Sequence, residues 1–172
     1  MVKKLIPFVI LIFVIFVGVF VWQENRSENR KVLEPKVDQE IKTDNAPVHY
    51  HASFLIFTNG TERVFRDSKY HERIPKVHLH LNNPEIIHVH QKGITWQEFF
   101  DSMPAPMKVT TNCLTTGTNQ KSCTTNNTTL KFFLNGQKSA SSVLTQEIND
   151  GDMFLISYGK ESENQIQNQL NQ

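Results

Sequence analysis

The sequence predicts an α+β domain with a mostly antiparallel sheet and one short helix, placed after an N-terminal transmembrane helix. Three observations support this class. Several segments alternate apolar and polar residues with the period of two that half-buried strands show. Asn-Gly pairs, which favour tight hairpin turns, occur at 59–60 and 135–136. One segment, beginning at Thr95, combines apolar residues at helical spacing with an N-terminal capping motif.

The first residues predict a membrane anchor. Residues 5–22 carry no charge, and a helix of that length just spans a hydrocarbon core of about 30 Å. A cleaved signal peptide is the alternative, but it has a shorter apolar region and a small-x-small site, which does not follow Trp22. Lys3 and Lys4 favour a cytoplasmic N-terminus at residues 1–4. A single-pass cell-membrane protein with an extracytoplasmic C-terminal part is therefore expected.

Composition divides the remainder of the chain. Residues 23–47 are polar, charged and nearly free of aromatic side chains, so they predict a disordered stalk. Residues 48–159 form the predicted domain, and the Gln/Asn-rich residues 160–172 predict a disordered tail. The formal net charge of +1 gives no reason to expect a nucleic-acid partner.

The domain's elements follow from local patterns. A first strand from Val48 to Thr58 leads through Asn59-Gly60 to a return strand. Thr95 and Glu98 form a predicted capping box for a helix that ends before Pro104. Its apolar residues are expected to pack on the sheet: Trp96, Phe99, Phe100 and Met103. Further strands are predicted at 107–110, 129–134 and 153–158.

Cys113 and Cys123 flank a loop rich in Thr, Asn, Gly and Ser. Outside the cytoplasm, a disulfide that closes this loop is the expected arrangement. The alternative is a thiolate pair that binds a soft metal, but the spacing is long for a metal clip and the flanks carry no histidine.

All seven histidines lie between residues 49 and 90, and six of them form three His-x-His pairs. In the second and third pairs, Val77, Leu79, Leu81, Ile87 and Val89 alternate with histidines, so the apolar residues are expected to face a core. The segment 82–85 has the composition of a turn and predicts an antiparallel hairpin about it. That register opposes His78 to His90 and His80 to His88.

Clustered imidazoles on neighbouring strands predict a metal site, because neutral imidazole nitrogen is a preferred ligand of zinc and copper ions. The candidate ligands are His49, His51, His71, His78, His80, His88 and His90. His71 is predicted to lie in a loop, either exposed or completing the site. A histidine-rich polar sheet face without a metal is the competing interpretation. The site can close within one chain or between two, so the oligomeric state stays open.

Three functions are consistent with this pattern. The favoured one is a membrane-tethered, extracytoplasmic protein that binds zinc or copper. The second is a zinc-dependent hydrolase or lyase with a three-histidine site, for which Glu72, Glu85 and Glu98 are candidate acids or bases by sequence proximity. No nucleophile or phosphate-binding motif supports catalysis. The third is a pH-sensitive interaction domain without a metal.

Three resemblances accompany these patterns. The segment 129–159, with its Asp150-Gly-Asp152 turn before a final strand, resembles the end of β-grasp (ubiquitin-like) domains, and the helix from Thr95 to Met103 would be the grasped helix. The first half resembles membrane-anchored prokaryotic proteins that carry His-x-His strands before a Gly-[Ile/Val]-Thr helix start, which implies architecture alone. One His-x-His strand plus a neighbouring histidine is similar to the ligand pattern of α-class carbonic anhydrases.

Overall fold

The computed structural model describes residues 46–172. The predicted anchor at 5–22 and nearly all of the predicted stalk lie outside these residues. Within 46–172, no helix is both long and apolar enough to cross a membrane.

The described residues form strands, two α-helices and two short 3₁₀ helices. The first strands are β1 (Pro47–Thr58), β2 (Thr61–Glu62), β3 (Val77–His80), β4 (Asn83–Gln91) and β5 (Lys108–Val109). The others are β6 (Cys113–Thr115), β7 (Lys121–Cys123), β8 (Thr129–Leu134), β9 (Gln137–Ser139) and β10 (Met153–Gly159). The α-helices are α1 (Trp96–Asp101) and α2 (Glu163–Leu170), and the 3₁₀ helices are Ser68–Tyr70 and Ser141–Thr145.

Seven strands form one mixed sheet. Six lie in the order β3-β4-β1-β10-β8-β9, and β2 pairs with the end of β1. The first and last strands, β1 and β10, run parallel, whereas the other neighbouring pairs are antiparallel. The strands β5, β6 and β7 form a separate small sheet. The predicted α+β class with a mainly antiparallel sheet is confirmed.

The strand β1 has two different faces. Its even-numbered residues, such as Phe54 and Ile56, enter the main core, where Phe54 packs against Phe99 of α1 with ring centroids 5.2 Å apart. Its odd-numbered residues face the opposite side, where Phe57 belongs to a second apolar cluster that includes Leu155. The sheet therefore buries apolar side chains on both faces, which the alternation of β1 requires.

The helix α1 begins as the sequence predicts. The backbone N–H of Glu98 donates to the Thr95 hydroxyl over 3.2 Å, and the Thr95 N–H donates to the Glu98 carboxylate over 2.9 Å. These reciprocal bonds satisfy two N–H groups that a helix start leaves without partners. The predicted packing face of the helix is buried in the core: Trp96, Phe99, Phe100 and Met103.

The histidine hairpin differs from its predicted register. His78 pairs with His88 and Leu79 with Ile87, whereas His80 pairs with Asn83 after an irregularity in β4. The turn lies at 81–82 and so overlaps only the first residue of the predicted segment 82–85. Leu81 is therefore 64% exposed and does not face the core. A register that paired His78 with His90 was wrong because it assumed a symmetric turn about Pro84, and β4 instead contains extra residues beside the turn.

The C-terminal residues also differ from their prediction as a disordered tail. A capping box between Ser162 and Gln165 starts α2. Ile166 and Leu170 of this helix are buried in the second apolar cluster. Composition alone suggested disorder because Gln and Asn dominate the segment. Two apolar residues four positions apart lie on the same side of a helix, and they are enough to attach it to the sheet.

The packing of α2 gives a stability test. Ile166→Ala and Leu170→Ala should each lower the free energy of unfolding by about 2–4 kcal/mol, because each leaves a cavity against the sheet. Urea unfolding of the chain followed by circular dichroism measures this loss. The control is Asn168→Ala, since Asn168 is exposed on the same helix. Equal midpoints for Leu170→Ala and the control would show that α2 does not pack on the sheet.

Candidate metal centre

The three strands at one end of the sheet carry the three His-x-His pairs. The strand β4 pairs with β3 on one side and with β1 on the other, and the register aligns His78, His88 and His51 across the three strands. Side chains of directly aligned residues point to the same face of a sheet. The remaining members, two residues along each strand, are therefore on that face as well.

The opposite face of the same three strands fixes this arrangement. Its residues enter the main core and are at most 2% exposed: Ala52, Val77, Leu79, Ile87 and Val89. A shift of one residue in any strand would place imidazoles in the core and apolar side chains in water. The apolar partners thus determine where the histidines lie.

One group of three imidazoles can hold a metal ion. The ligand atoms of His49, His51 and His88 lie within 4.8 Å of one another. The Nε2 atoms of His49 and His51 are 3.1 Å apart. Two imidazole nitrogens bound to one tetrahedral zinc ion lie roughly 3.3 Å apart, given Zn–N bonds of about 2.0–2.1 Å. The two side chains on β1 already have almost the separation that a shared ion requires.

His88 lies at the centre of the cluster. Its Nδ1 atom is buried and has no hydrogen-bond partner among the described residues. Burial lowers the pKa of His88 to about 4, followed by the charge interactions of its ring with His80, His51, His78 and His49. The imidazole is therefore neutral at pH 7 and has a lone pair available for an ion.

His90 joins the two ends of the cluster. Its ring centroid lies 4.9 Å from that of His49 and 5.0 Å from that of His78. Burial is the first cause that lowers the pKa of His90, followed by repulsion from His78. All six paired histidines thus form one contiguous patch, which we call the imidazole face (His49, His51, His78, His80, His88 and His90).

A second group of possible ligands lies at the β3 side of the imidazole face. It consists of Glu72, His78 and His80, whose ligand atoms also lie within 4.8 Å of one another. The Glu72 carboxylate contacts Nδ1 of His80, and its other oxygen lies 3.3 Å from Nε2 of His78. Sequence reasoning considered Glu72 as a candidate acid or base but missed it as a ligand, because no local pattern links it to His78.

His71 lies outside both groups. It is buried, with 8% exposure, and its Nε2–H donates a 2.8 Å hydrogen bond to the Phe65 carbonyl. A bridge to Leu79 attaches the residue to the edge of β3. Of the seven histidines that the sequence proposes as ligands, the structure therefore brings six together.

The two cysteines form a disulfide, as predicted. They face each other across β6 and β7, in the small sheet. Neither is free, so the alternative of a thiolate pair is excluded and the imidazole face has no cysteine ligand.

An apolar cavity beside the core is not part of this centre. It measures about 200 Å³ and is lined in part by Ile56, Phe65, Tyr70 and Met107. Ile56 points to the main core, away from the imidazole face. A small apolar ligand and a metal ion would therefore occupy opposite sides of the sheet.

No protein-family model, curated protein or solved structure matches the chain.

The low pKa of His88 predicts how pH affects the metal-free chain. Between about pH 6.5 and 4 the unfolded histidine binds a proton that the folded one does not, so stability falls as pH falls through this window. The slope is at most about 1.4 kcal/mol per pH unit for one such proton. Urea unfolding between pH 7.5 and 4.5 measures it.

His88→Gln provides the comparison, because a glutamine side chain does not titrate. This variant should show a shallower loss of stability over the same pH window. An equal slope in the variant and the wild type would mean that other groups cause the pH dependence.

Proposed function

We propose that this chain is a membrane-tethered, extracytoplasmic protein that binds a zinc or copper ion through clustered His-x-His strands. The observation that carries the proposal is the convergence of His49, His51 and His88, with all ligand atoms within 4.8 Å. Three imidazoles on two paired strands supply the donor set that both ions accept. Because the core fixes the strand register, little conformational freedom is lost when the ion binds.

The donor set favours Zn²⁺ or Cu²⁺ over Cu⁺. Cu⁺ prefers thiolate and thioether ligands. Both cysteines are in a disulfide, and Met103 and Met107 lie in the main core, on the other side of the sheet from the imidazole face. A site of imidazoles alone suits the divalent ions.

The membrane tether is proposed from the apolar residues 5–22 and the polar stalk that follows. The imidazole face lies near the start of β1 at Pro47, where the chain enters the domain. The disulfide is consistent with an oxidising compartment outside the cytoplasm.

We further propose that the domain is a β-grasp fold with additions. Five strands in the order β2-β1-β10-β8-β9, with the first and last strands parallel at the centre, support the likeness, as does α1 packed on one face. In this interpretation the β3–β4 hairpin is an addition that extends the sheet beyond β1. The additional strands are those that supply four of the six paired histidines.

The experiment that tests the function is a calorimetric titration of the full chain in detergent, freed of metal, with Zn²⁺ and with Cu²⁺ at neutral pH. At least one of the two ions should bind more tightly than about 10 μM. The double variant His49→Gln/His51→Gln should weaken binding at the three-histidine group at least tenfold, because only one of its imidazoles remains.

The matched control is Tyr50→Phe, which lies between the two histidines but faces the core. It should bind metal as the wild type does. Binding weaker than about 10 μM for both ions in the wild-type chain would overturn the proposed function.

A further inference from the structure

Glu72 has an unusual backbone conformation. Its φ angle is +50°, in the left-handed region. The other non-glycine residues with positive φ between 46 and 172 are Asn59, Asn119 and Asn135. Asparagine tolerates this conformation better than most residues, whereas glutamate has no such advantage. Asn or Gly at position 72 would strain the backbone less. Backbone geometry therefore does not explain why a glutamate stands there.

The backbone holds Glu72 against the imidazole face. Its N–H donates a 3.0 Å hydrogen bond to the Leu79 carbonyl, and the neighbouring His71 bridges to the same residue. Leu79 lies between His78 and His80 on β3, so the carboxylate reaches both imidazoles. The side chains of Glu72 and His80 are 57% and 42% exposed, whereas that of His78 is 9% exposed. The group is therefore buried at His78 and accessible to water at Glu72 and His80.

The hydrogen bonding of His78 leaves its lone pair directed at the carboxylate. Nδ1–H of His78 donates a 3.0 Å hydrogen bond to the Ile74 carbonyl, so Nε2 is the ring nitrogen left to carry a lone pair. That atom lies 3.3 Å from a Glu72 oxygen, which also carries lone pairs. Two acceptors at this distance repel each other unless a cation or a proton lies between them. A carbonyl that fixes the far nitrogen is also the usual outer partner of a metal-bound histidine.

We propose that Glu72, His78 and His80 form a second divalent-metal site, chemically distinct from the three-histidine group. The proposal rests on the proposed metal-binding function but uses none of the same ligands. Two imidazoles and one carboxylate are a donor set for Zn²⁺ and for other divalent first-row ions, with water in the open positions. The carboxylate brings a negative charge that the three-histidine group lacks.

The two sites are adjacent. The ring of His80 contacts that of His88, with centroids 4.2 Å apart, so a ligand of one site touches a ligand of the other. Two dications so placed repel each other, and the charge of Glu72 offsets part of this repulsion. The chain therefore binds two equivalents of one ion in two steps. A substitution of Glu72 should affect one of these steps and leave the other unchanged.

The test is a Zn²⁺ titration of the full chain in detergent, followed by electron paramagnetic resonance of the Cu²⁺-loaded protein. Wild type should bind two equivalents of Zn²⁺. Glu72→Gln should lose one equivalent or bind it at least tenfold more weakly, and the mixed Cu²⁺ signal with two nitrogen ligands and a carboxylate oxygen should disappear, leaving the signal with three nitrogen ligands. His49→Gln/His51→Gln should instead lose the other equivalent and retain that mixed signal.

Glu72→Asn is the second variant, because Asn suits the left-handed backbone and removes the carboxylate charge. It should unfold at a temperature no lower than wild type while losing the same equivalent. Glu85→Gln, a carboxylate on the same hairpin outside both groups, should keep two equivalents.

Two results would overturn the second site. One is two undiminished equivalents in Glu72→Gln and Glu72→Asn, and the other is a single equivalent in wild type that neither variant weakens. In both cases binding at the three-histidine group would survive. Absence of any bound ion in the wild type would instead remove the proposed function together with this inference.

Discussion

The alternation of side chains along β1, β3 and β4 is the constraint on which the rest of the structure depends. Every second residue of these strands enters the main core, where Val77, Leu79 and Ile87 are fully buried. Because the period of a strand is two, the residues between them must face the other way. The core therefore specifies the side of the sheet on which the imidazoles lie.

Sequence patterns predict much of this arrangement because the relevant signals are local. The capping box at Thr95 and the turn at Asn59-Gly60 each depend on a few adjacent residues, and the structure contains both. The predicted hairpin register was wrong because composition does not distinguish a turn at 81–82, followed by an irregular β4, from a symmetric turn about Pro84. The prediction that residues 160–172 are disordered was wrong for a related reason. Ile166 packs against an apolar cluster that includes Leu155, which a local sequence pattern does not reveal.

The candidate site shows the same division between local and distant information. The six paired histidines could be identified from spacing, but which strands lie side by side could not, because that depends on the sheet order. Glu72 illustrates the limit, since its carboxylate reaches His78 and His80 only through a left-handed turn and a hydrogen bond to Leu79. His71 shows the opposite case, a histidine near the others in sequence that the fold buries elsewhere.

The unequal pairing of β1 along its length has a mechanical consequence. Its N-terminal half pairs with β4, whereas its pairing with β10 begins only at Ser53. Tension applied through the chain before Pro47 therefore loads the contacts between β1 and β4 before it reaches the centre of the sheet. An ion bound jointly by His49, His51 and His88 would cross-link β1 and β4 at the end where the force is applied. The force that the domain resists before it unfolds would then depend on whether the ion is bound.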